Sequence, residues 1–186
     1  MTFANISFGQ GMTATPLQIV TATAAYANGG ILYRPFIVKT IRDPEGHVVD
    51  EAEPYGRQVM RPETSKMVAK MLRAVMLKRG TGEEIDLLDY PIAGKTGTAQ
   101  RVNPATPTYD PDFWISSFVG FAPYRHPKLV MGIFLDLRGN PVHQGAKTAG
   151  PIFKKAMERM LISMGTEKEP EKLSTPIKKR GPHEAR

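Results

Sequence analysis

Cysteine is absent from this 186-residue chain. That excludes disulfides and thiolate metal sites and fits a reducing or an oxidising compartment equally. No window approaches the roughly 18 uninterrupted apolar residues of a membrane span. The opening Met1-Thr2-Phe3-Ala4-Asn5 has neither the basic start nor the apolar run of a signal peptide. His47, His126, His143 and His183 lack the H-x-x-x-H or H-E-x-x-H spacing of a metal site. They read as surface residues, and no metal or other cofactor is expected. The net charge of +7 is spread, and its densest run, Lys178-Lys179-Arg180, lies among Glu167, Glu169, Glu171 and Glu184. No aromatic residue there could stack a base, so this is a solvated tail and no nucleic-acid partner is expected.

With 41% hydrophobic and 23% charged residues, the chain is long enough and apolar enough for one domain with a core. Thr15-Pro16 opens an alanine-rich segment, Leu17 to Ala27, as N-cap and first helical residue, and Asn28-Gly29-Gly30 stops it. Ile31 to Ile41 reads as strand broken by Pro35. A turn at Asp43-Pro44-Glu45-Gly46 and the strand-like His47-Val48-Val49 complete a small hairpin. A second helix is predicted from Pro62 to about Leu77, with Met67, Val68, Met71, Leu72, Val75 and Met76 as its buried face. After Arg79-Gly80-Thr81-Gly82 comes a loop or short helix to Tyr90, and then a strand carrying Lys95 to Gly97. A polar excursion, Asn103 to Pro111, holds three prolines. Phe113 to Phe121 and Lys128 to Leu137 read as two antiparallel strands. A closing helix covers about Lys147 to Ile162, with Ile152, Phe153, Ala156, Met157, Met160 and Leu161 inward. Periodicity ends at Met164. The expected division is a body over residues 1–164 and a charged, disordered tail over 165–186, and the fold class is α+β.

The stretch with chemistry in it is "AGKTGTAQ", Ala93 to Gln100. Gly94-Lys95-Thr96 resembles the end of a phosphate-binding P-loop, but that loop needs a glycine where this chain has Asp89. A carboxylate there would face the phosphates. What remains is Lys-Thr-Gly, the order that accompanies S-x-x-K and S-D-N in penicillin-recognising enzymes. Glu83-Glu84 and Asp86 with Asp89 could form acid–base pairs, but adjacent carboxylates in a polar loop are ordinarily solvated. Trp114, at the start of a strand, reads as packing.

Several stretches together resemble the C-terminal half of the transpeptidase domain of class B penicillin-binding proteins. They are "SFGQGMTATPLQ" (Ser7 to Gln18) with "AYANGG", "RGTG" (Arg79 to Gly82), "AGKTGTAQ", "SSFVGFAP" (Ser116 to Pro123) and "GPIFKKAMERML" (Gly150 to Leu161). The details "SFGQG" and "GKTGTAQ" resemble the septal, cell-division branch. The resemblance implies part of the β-lactamase/transpeptidase-like fold: an antiparallel sheet packed against helices, with three strands on the KTG side. Two sheet strands and the nucleophile helix would be missing. It implies a peptidoglycan D,D-transpeptidase that works through a serine acyl-enzyme and binds penicillin. The partners it implies are the D-Ala-D-Ala stem peptide, β-lactams, the missing N-terminal half of the domain and division proteins. The parent protein would be anchored in the inner membrane with this domain on the outer face.

By the same resemblance, Lys95 places positive charge near the substrate carboxylate and the proton-transfer network, and the hydroxyls of Thr96 and Thr98 bond the substrate. Thr98 also gives its backbone N–H to the oxyanion hole, while Gly97 keeps the strand edge clear. The departure from the family is equally plain: no serine in the chain begins S-x-x-K or S-x-N. Ser65 is followed three places on by Val68, Ser116 by Val119 and Ser174 by Ile177. The chain is therefore expected to be inactive by itself. A noncatalytic transpeptidase-like remnant that acts as a binding protein is the alternative.

Overall fold

The computed structural model describes residues 9, 12–103, 105, 106 and 108–170. Helix α1 (Pro16–Ala27) starts as its sequence dictates. The Gln18 amide donates to Thr15 Oγ1 (3.2 Å) and the Thr15 amide donates to Gln18 Oε1 (2.8 Å), a reciprocal capping box with Pro16 at the first helical position. Asn28 ends it by exchanging two side-chain hydrogen bonds with the backbone of Ile31.

The next segment holds two nested antiparallel pairs where the sequence suggested one hairpin. Strand β1 (Ile31–Tyr33) pairs with β4 (Gly56–Gln58), and β2 (Thr40–Arg42) pairs with β3 (Val48–Glu51). Strand β4 consists of Gly-Arg-Gln and carries no apolar alternation, so nothing in its own residues announced it.

Helix α2 (Pro62–Ala74) ends three residues before the expected Leu77, and a 3₁₀ turn (Glu83–Ile85) follows. Three long strands then form one antiparallel sheet in the order β5 (Ala93–Val102), β6 (Tyr109–Ala122), β7 (Leu129–Arg138). Strand β6 begins at Tyr109, so the polar excursion is shorter than its three prolines suggested. The Asn103 amide donates to the Thr108 carbonyl (2.9 Å) and closes the turn. Helix α3 (Ala149–Ser163) completes the order.

Side chains alternate across the sheet, and each face meets helices. Phe118 of β6, with Met131, Ile133 and Leu135 of β7, packs on Phe153, Met157 and Leu161 of α3. The Phe118 and Phe153 rings meet edge to face at 4.5 Å. Ala93 and Phe121, on the opposite face, pack with Ala69 and Leu72 of α2, and with Tyr26 and Ala27 of α1. The result is helix, sheet and helix in layers, an α+β arrangement with β5 at one edge.

Two predicted helix faces are corrected. On α2 the buried residues are Ser65, Ala69 and Arg73, while Met67 and Met71 are exposed. Small side chains let α2 approach α1 closely, and Ser65 Oγ donates to the Tyr26 carbonyl (2.9 Å). That contact turns the methionines outward. On α3 the buried row is Ala149, Phe153, Met157 and Leu161 at strict four-residue spacing, and Ile152 and Met160 are exposed at its flanks. A three-stranded sheet covers a narrower stripe than the sequence pattern allowed for.

The chain also stays attached past Met164. Tyr90 Oη donates to the Thr166 carbonyl (3.3 Å), the Glu169 amide donates to the Asp89 carbonyl (2.8 Å), and Lys168 pairs with Asp89 (2.8 Å). Disorder from Gly165 onward is thus corrected through Glu169, because the β5-side loop offers matching carbonyl and carboxylate groups. Residues 171–186 of the expected tail, with Lys178 and His183, lie outside the described residues.

Hydrogen bonding and charge from Asp89 raise the Lys168 pKa above its ordinary 10.5. While Asp89 is ionised, the contribution of Lys168 is therefore fully present below pH 10.5 and is lost as pH rises through the raised value. An NMR titration of the Lys168 ammonium is expected to show a midpoint above 10.5 that falls toward 10.5 in Asp89→Asn. An unshifted midpoint in the unsubstituted chain would refute the pairing in solution.

Candidate active site

Strand β5 carries Lys95, Thr96, Gly97 and Thr98 along the sheet edge that β6 does not occupy. Register fixes their neighbours: Lys95 lies opposite Val119, Thr96 opposite Phe118, Gly97 opposite Ser117 and Thr98 opposite Ser116. Lys95 is exposed, and its Nζ donates to the Thr96 carbonyl (3.1 Å) and to Thr96 Oγ1 (3.3 Å). A cation can reach that carbonyl because it opens toward the free edge. In an antiparallel strand the N–H and C=O of one residue point to the same side, with a two-residue period, so the Thr98 N–H faces the same edge.

Thr98 is held from behind. The Gly145 amide donates to Thr98 Oγ1 (3.2 Å), which anchors the segment before α3 across the face of β5. This crossing is close enough to demand glycine: a Cβ on Gly145 would lie 2.4 Å from the Ser117 carbonyl oxygen and 2.8 Å from that of Gly97. A Cβ on Gly97 would meet Ser117 Oγ at 2.4 Å. The sequence reading assigned Gly97 to clearing room for an acyl group; within this chain the near neighbour is Ser117. Two further contacts pin the same segment. Ser116 Oγ hydrogen-bonds Thr148 Oγ1, and the Trp114 ring stacks on His143 at 4.1 Å with the planes 9° apart. Trp114 packs as expected. His143 is half-buried in that stack, and His47 and His126 sit exposed beside Asp43 and Glu169.

A partly buried ion pair sets the start of β5. Arg73 on α2 donates through one guanidinium nitrogen to Asp86 Oδ1 and to the Ile92 carbonyl, both at 2.8 Å, and the Ile92 amide donates to Asp86 Oδ1 (3.0 Å). Both polar backbone groups of Ile92 are satisfied by side chains, as a neighbouring strand would satisfy them. Three of the four acidic loop residues therefore have structural partners for their carboxylates: Asp86 holds Arg73, Asp89 holds Lys168, and Glu83 Oε2 accepts from the Arg79 amide (2.8 Å).

Sequence reasoning missed Thr81. Its Oγ1 lies 3.4 Å from Thr96 Oγ1, which places a hydroxyl from the "RGTG" turn beside Lys95 and Thr96. No local pattern marks a lone threonine between two glycines as part of a site. The arrangement offers one cation, several hydroxyls and an outward N–H along one exposed strand edge. Such a set suits an anionic ligand lying extended against β5.

The family described as "Penicillin binding protein transpeptidase domain" matches residues 2–158. Penicillin-binding protein PbpB of Mycolicibacterium smegmatis is 36% identical over 162 residues, which cover 81% of this chain and 24% of that protein. Stage V sporulation protein D of Bacillus subtilis is 38% identical over 164 residues, 87% of this chain and 25% of that protein. The chain thus spans about a quarter of the length of the curated relatives it matches. Among solved structures, penicillin binding protein 3 of Mycobacterium tuberculosis complexed with ampicillin superposes with a TM-score of 0.82 at 33% identity. That superposition covers 94% of this chain and 40% of the other. The aztreonam complex gives 0.79 at 34% identity, over 91% and 39%. The family match and the superposed fold agree on one assignment: the chain belongs to the penicillin-binding protein transpeptidase domain family.

Proposed function

We propose that this chain supplies the Lys-Thr-Gly half of the active site of a serine-type peptidoglycan D,D-transpeptidase. The observation that carries the reading is the Lys95–Thr96 cluster on the open edge of β5, with the Thr98 N–H directed the same way. The donor peptide ending in D-Ala-D-Ala lies along this edge, its terminal carboxylate against Lys95, Thr96 and the Thr98 hydroxyl. The serine comes from an S-x-x-K segment outside these 186 residues. Its Oγ adds to the penultimate carbonyl, and the resulting oxyanion takes the Thr98 N–H and the amide of the serine itself. The C–N bond breaks, D-alanine leaves with the serine proton relayed to its nitrogen, and the amine of a second stem peptide displaces the serine.

A β-lactam presents the same carboxylate beside a strained amide and stops at the ester. M. tuberculosis penicillin binding protein 3, solved with ampicillin and with aztreonam, supports assigning β-lactams as ligands. The names of the curated relatives, which include a peptidoglycan D,D-transpeptidase, support the reaction. The place of action follows as part of the proposal. The domain works on the outer face of the inner membrane, held there by parts of the protein other than these helices, and it meets division proteins. No helix among the described residues is long and apolar enough to cross a membrane.

The test is covalent labelling with a fluorescent penicillin. The 186-residue chain alone is expected to stay unlabelled, since it holds no S-x-x-K serine. Fusion or co-expression with the S-x-x-K-bearing half of the domain is expected to restore labelling. Specific labelling of the chain alone would overturn the assignment of the nucleophile. A completed domain that never labels would favour a noncatalytic remnant.

A further inference from the structure

We propose that Thr81 is a third hydroxyl of the carboxylate grip, a specificity-determining residue on the "RGTG" turn that contacts the substrate's terminal carboxylate together with Lys95 and Thr96. The inference rests on the transpeptidase reading above and deepens it. Thr81 is exposed, and its Oγ1 is 3.4 Å from Thr96 Oγ1, which is itself 3.3 Å from Lys95 Nζ. Three donors therefore converge at one point of the β5 edge, and two of them are hydroxyls that can turn their hydrogens toward a common acceptor. A planar carboxylate has two oxygens and about four lone-pair directions; Lys95 Nζ already gives two of its three hydrogens to Thr96, so its third and the hydroxyls of Thr96 and Thr98 leave a direction that Thr81 fills.

The turn that delivers Thr81 is built to hold it in place. A Cβ on Gly80 would lie 2.0 Å from the Val75 carbonyl oxygen, and one on Gly82 would lie 2.5 Å from Met76 Sδ, so the chain on both sides of Thr81 is pressed against the end of α2. Arg79 adopts φ 71°, an unfavourable value for a residue with a side chain. Its amide is taken by the Glu83 carboxylate at 2.8 Å. The Gly82 amide donates to the Val75 carbonyl (3.0 Å), and the Ile85 amide donates to that of Gly82 (2.9 Å). Every one of these contacts uses the neighbours of Thr81 and leaves its side chain outward, facing Thr96. A hydroxyl fixed in advance loses little freedom when a ligand arrives, which is the condition for a useful binding contact.

The experiment compares a fluorescent penicillin carrying its free carboxylate with its methyl ester, in the domain completed by the S-x-x-K-bearing half. Thr81→Val, which removes the hydroxyl and keeps the shape, is expected to slow acylation by the free acid about tenfold or more, the scale of one hydrogen bond to a charged group. The ester reaction is expected to change little, so the preference for acid over ester falls. Thr81→Ser retains the hydroxyl and is expected to keep most of the rate and the preference. A Thr81→Val protein that acylates with the unsubstituted acid rate, or that loses acid and ester rates in parallel, overturns the proposal, because a structural defect does not distinguish the two probes. Lys95→Ala, run alongside, separates this from the broader reading. If it abolishes the acid preference and Thr81→Val does not, only the role of Thr81 fails; if neither changes the rate, the transpeptidase reading of this edge fails as well.

Discussion

Lys95→Ala in the completed domain is expected to slow acylation by penicillin by roughly 10- to 1,000-fold, the range for one preorganised electrostatic contact in a transpeptidase-type site. In the structure Lys95 is exposed and its Nζ rests on the carbonyl and hydroxyl of Thr96. In water such a contact contributes little. Its effect grows when a ligand and the serine-bearing half of the domain exclude solvent from the β5 edge, since charges interact more strongly as the local dielectric falls. Thr96→Val is expected to cost less than Lys95→Ala, because a neutral donor is lost and the cation remains. Thr98→Val is expected to be milder still, because the backbone N–H that faces the oxyanion survives the substitution. Lys66→Ala, on the exposed side of α2, is the neutral control. Stopped-flow labelling measures all four. Full acylation by Lys95→Ala would return Ala93 to Gln100 to the status of an ordinary edge strand.

The helices, the three long strands and the Lys-Thr-Gly position were legible because each is encoded locally. Thr15 and Gln18 state the start of α1 in four residues, and the apolar run of β6 and β7 states two buried strands. What was not legible depends on partners distant in sequence. Strand β4 exists because Gly56 to Gln58 lies beside Ile31 to Tyr33, and a Gly-Arg-Gln stretch does not announce that. The outward turn of Met67 and Met71 follows from the small Ser65 and Ala69 seating α2 on α1, a contact between residues 39 positions apart for Ser65 and Tyr26. The same holds within the site. Gly145 and Thr98 are 47 positions apart, and Thr81 and Thr96 are 15 apart, so only the fold brings their groups together. The docking of Thr166 to Glu169 escaped notice for another reason. Lys168 and Glu169 are residues of a soluble tail by composition, and only their reach to Asp89 and His126 makes them part of the body.

Arg73→Met is expected to destabilise the completed domain by about 3 kcal/mol, because it leaves a partly buried carboxylate without the guanidinium beside it. Arg73 is among the least exposed charged residues described, with its side chain 8% accessible against 21% for Asp86. Its 2.8 Å contacts to Asp86 and to the Ile92 carbonyl make it a clamp between α2 and the entry of β5. Methionine keeps an unbranched apolar stem and removes the guanidinium, so most of the loss is of polar contacts. Asp86 is partly accessible, and water recovers some of its solvation, which places the effect at the lower end of the range for a broken buried pair. Asp86→Asn is the informative partner variant. It keeps an oxygen for both the guanidinium and the Ile92 amide and removes only the charge, so it is expected to cost clearly less than Arg73→Met. Thermal unfolding of the two variants decides the matter: equal and negligible shifts would show that the clamp contributes no net stability. A further consequence follows from position, since Ile92 stands three residues before Lys95 on the same chain. Acylation measured well below the melting temperature is expected to fall less in Arg73→Met than in Lys95→Ala, because the clamp orients the strand without touching the substrate.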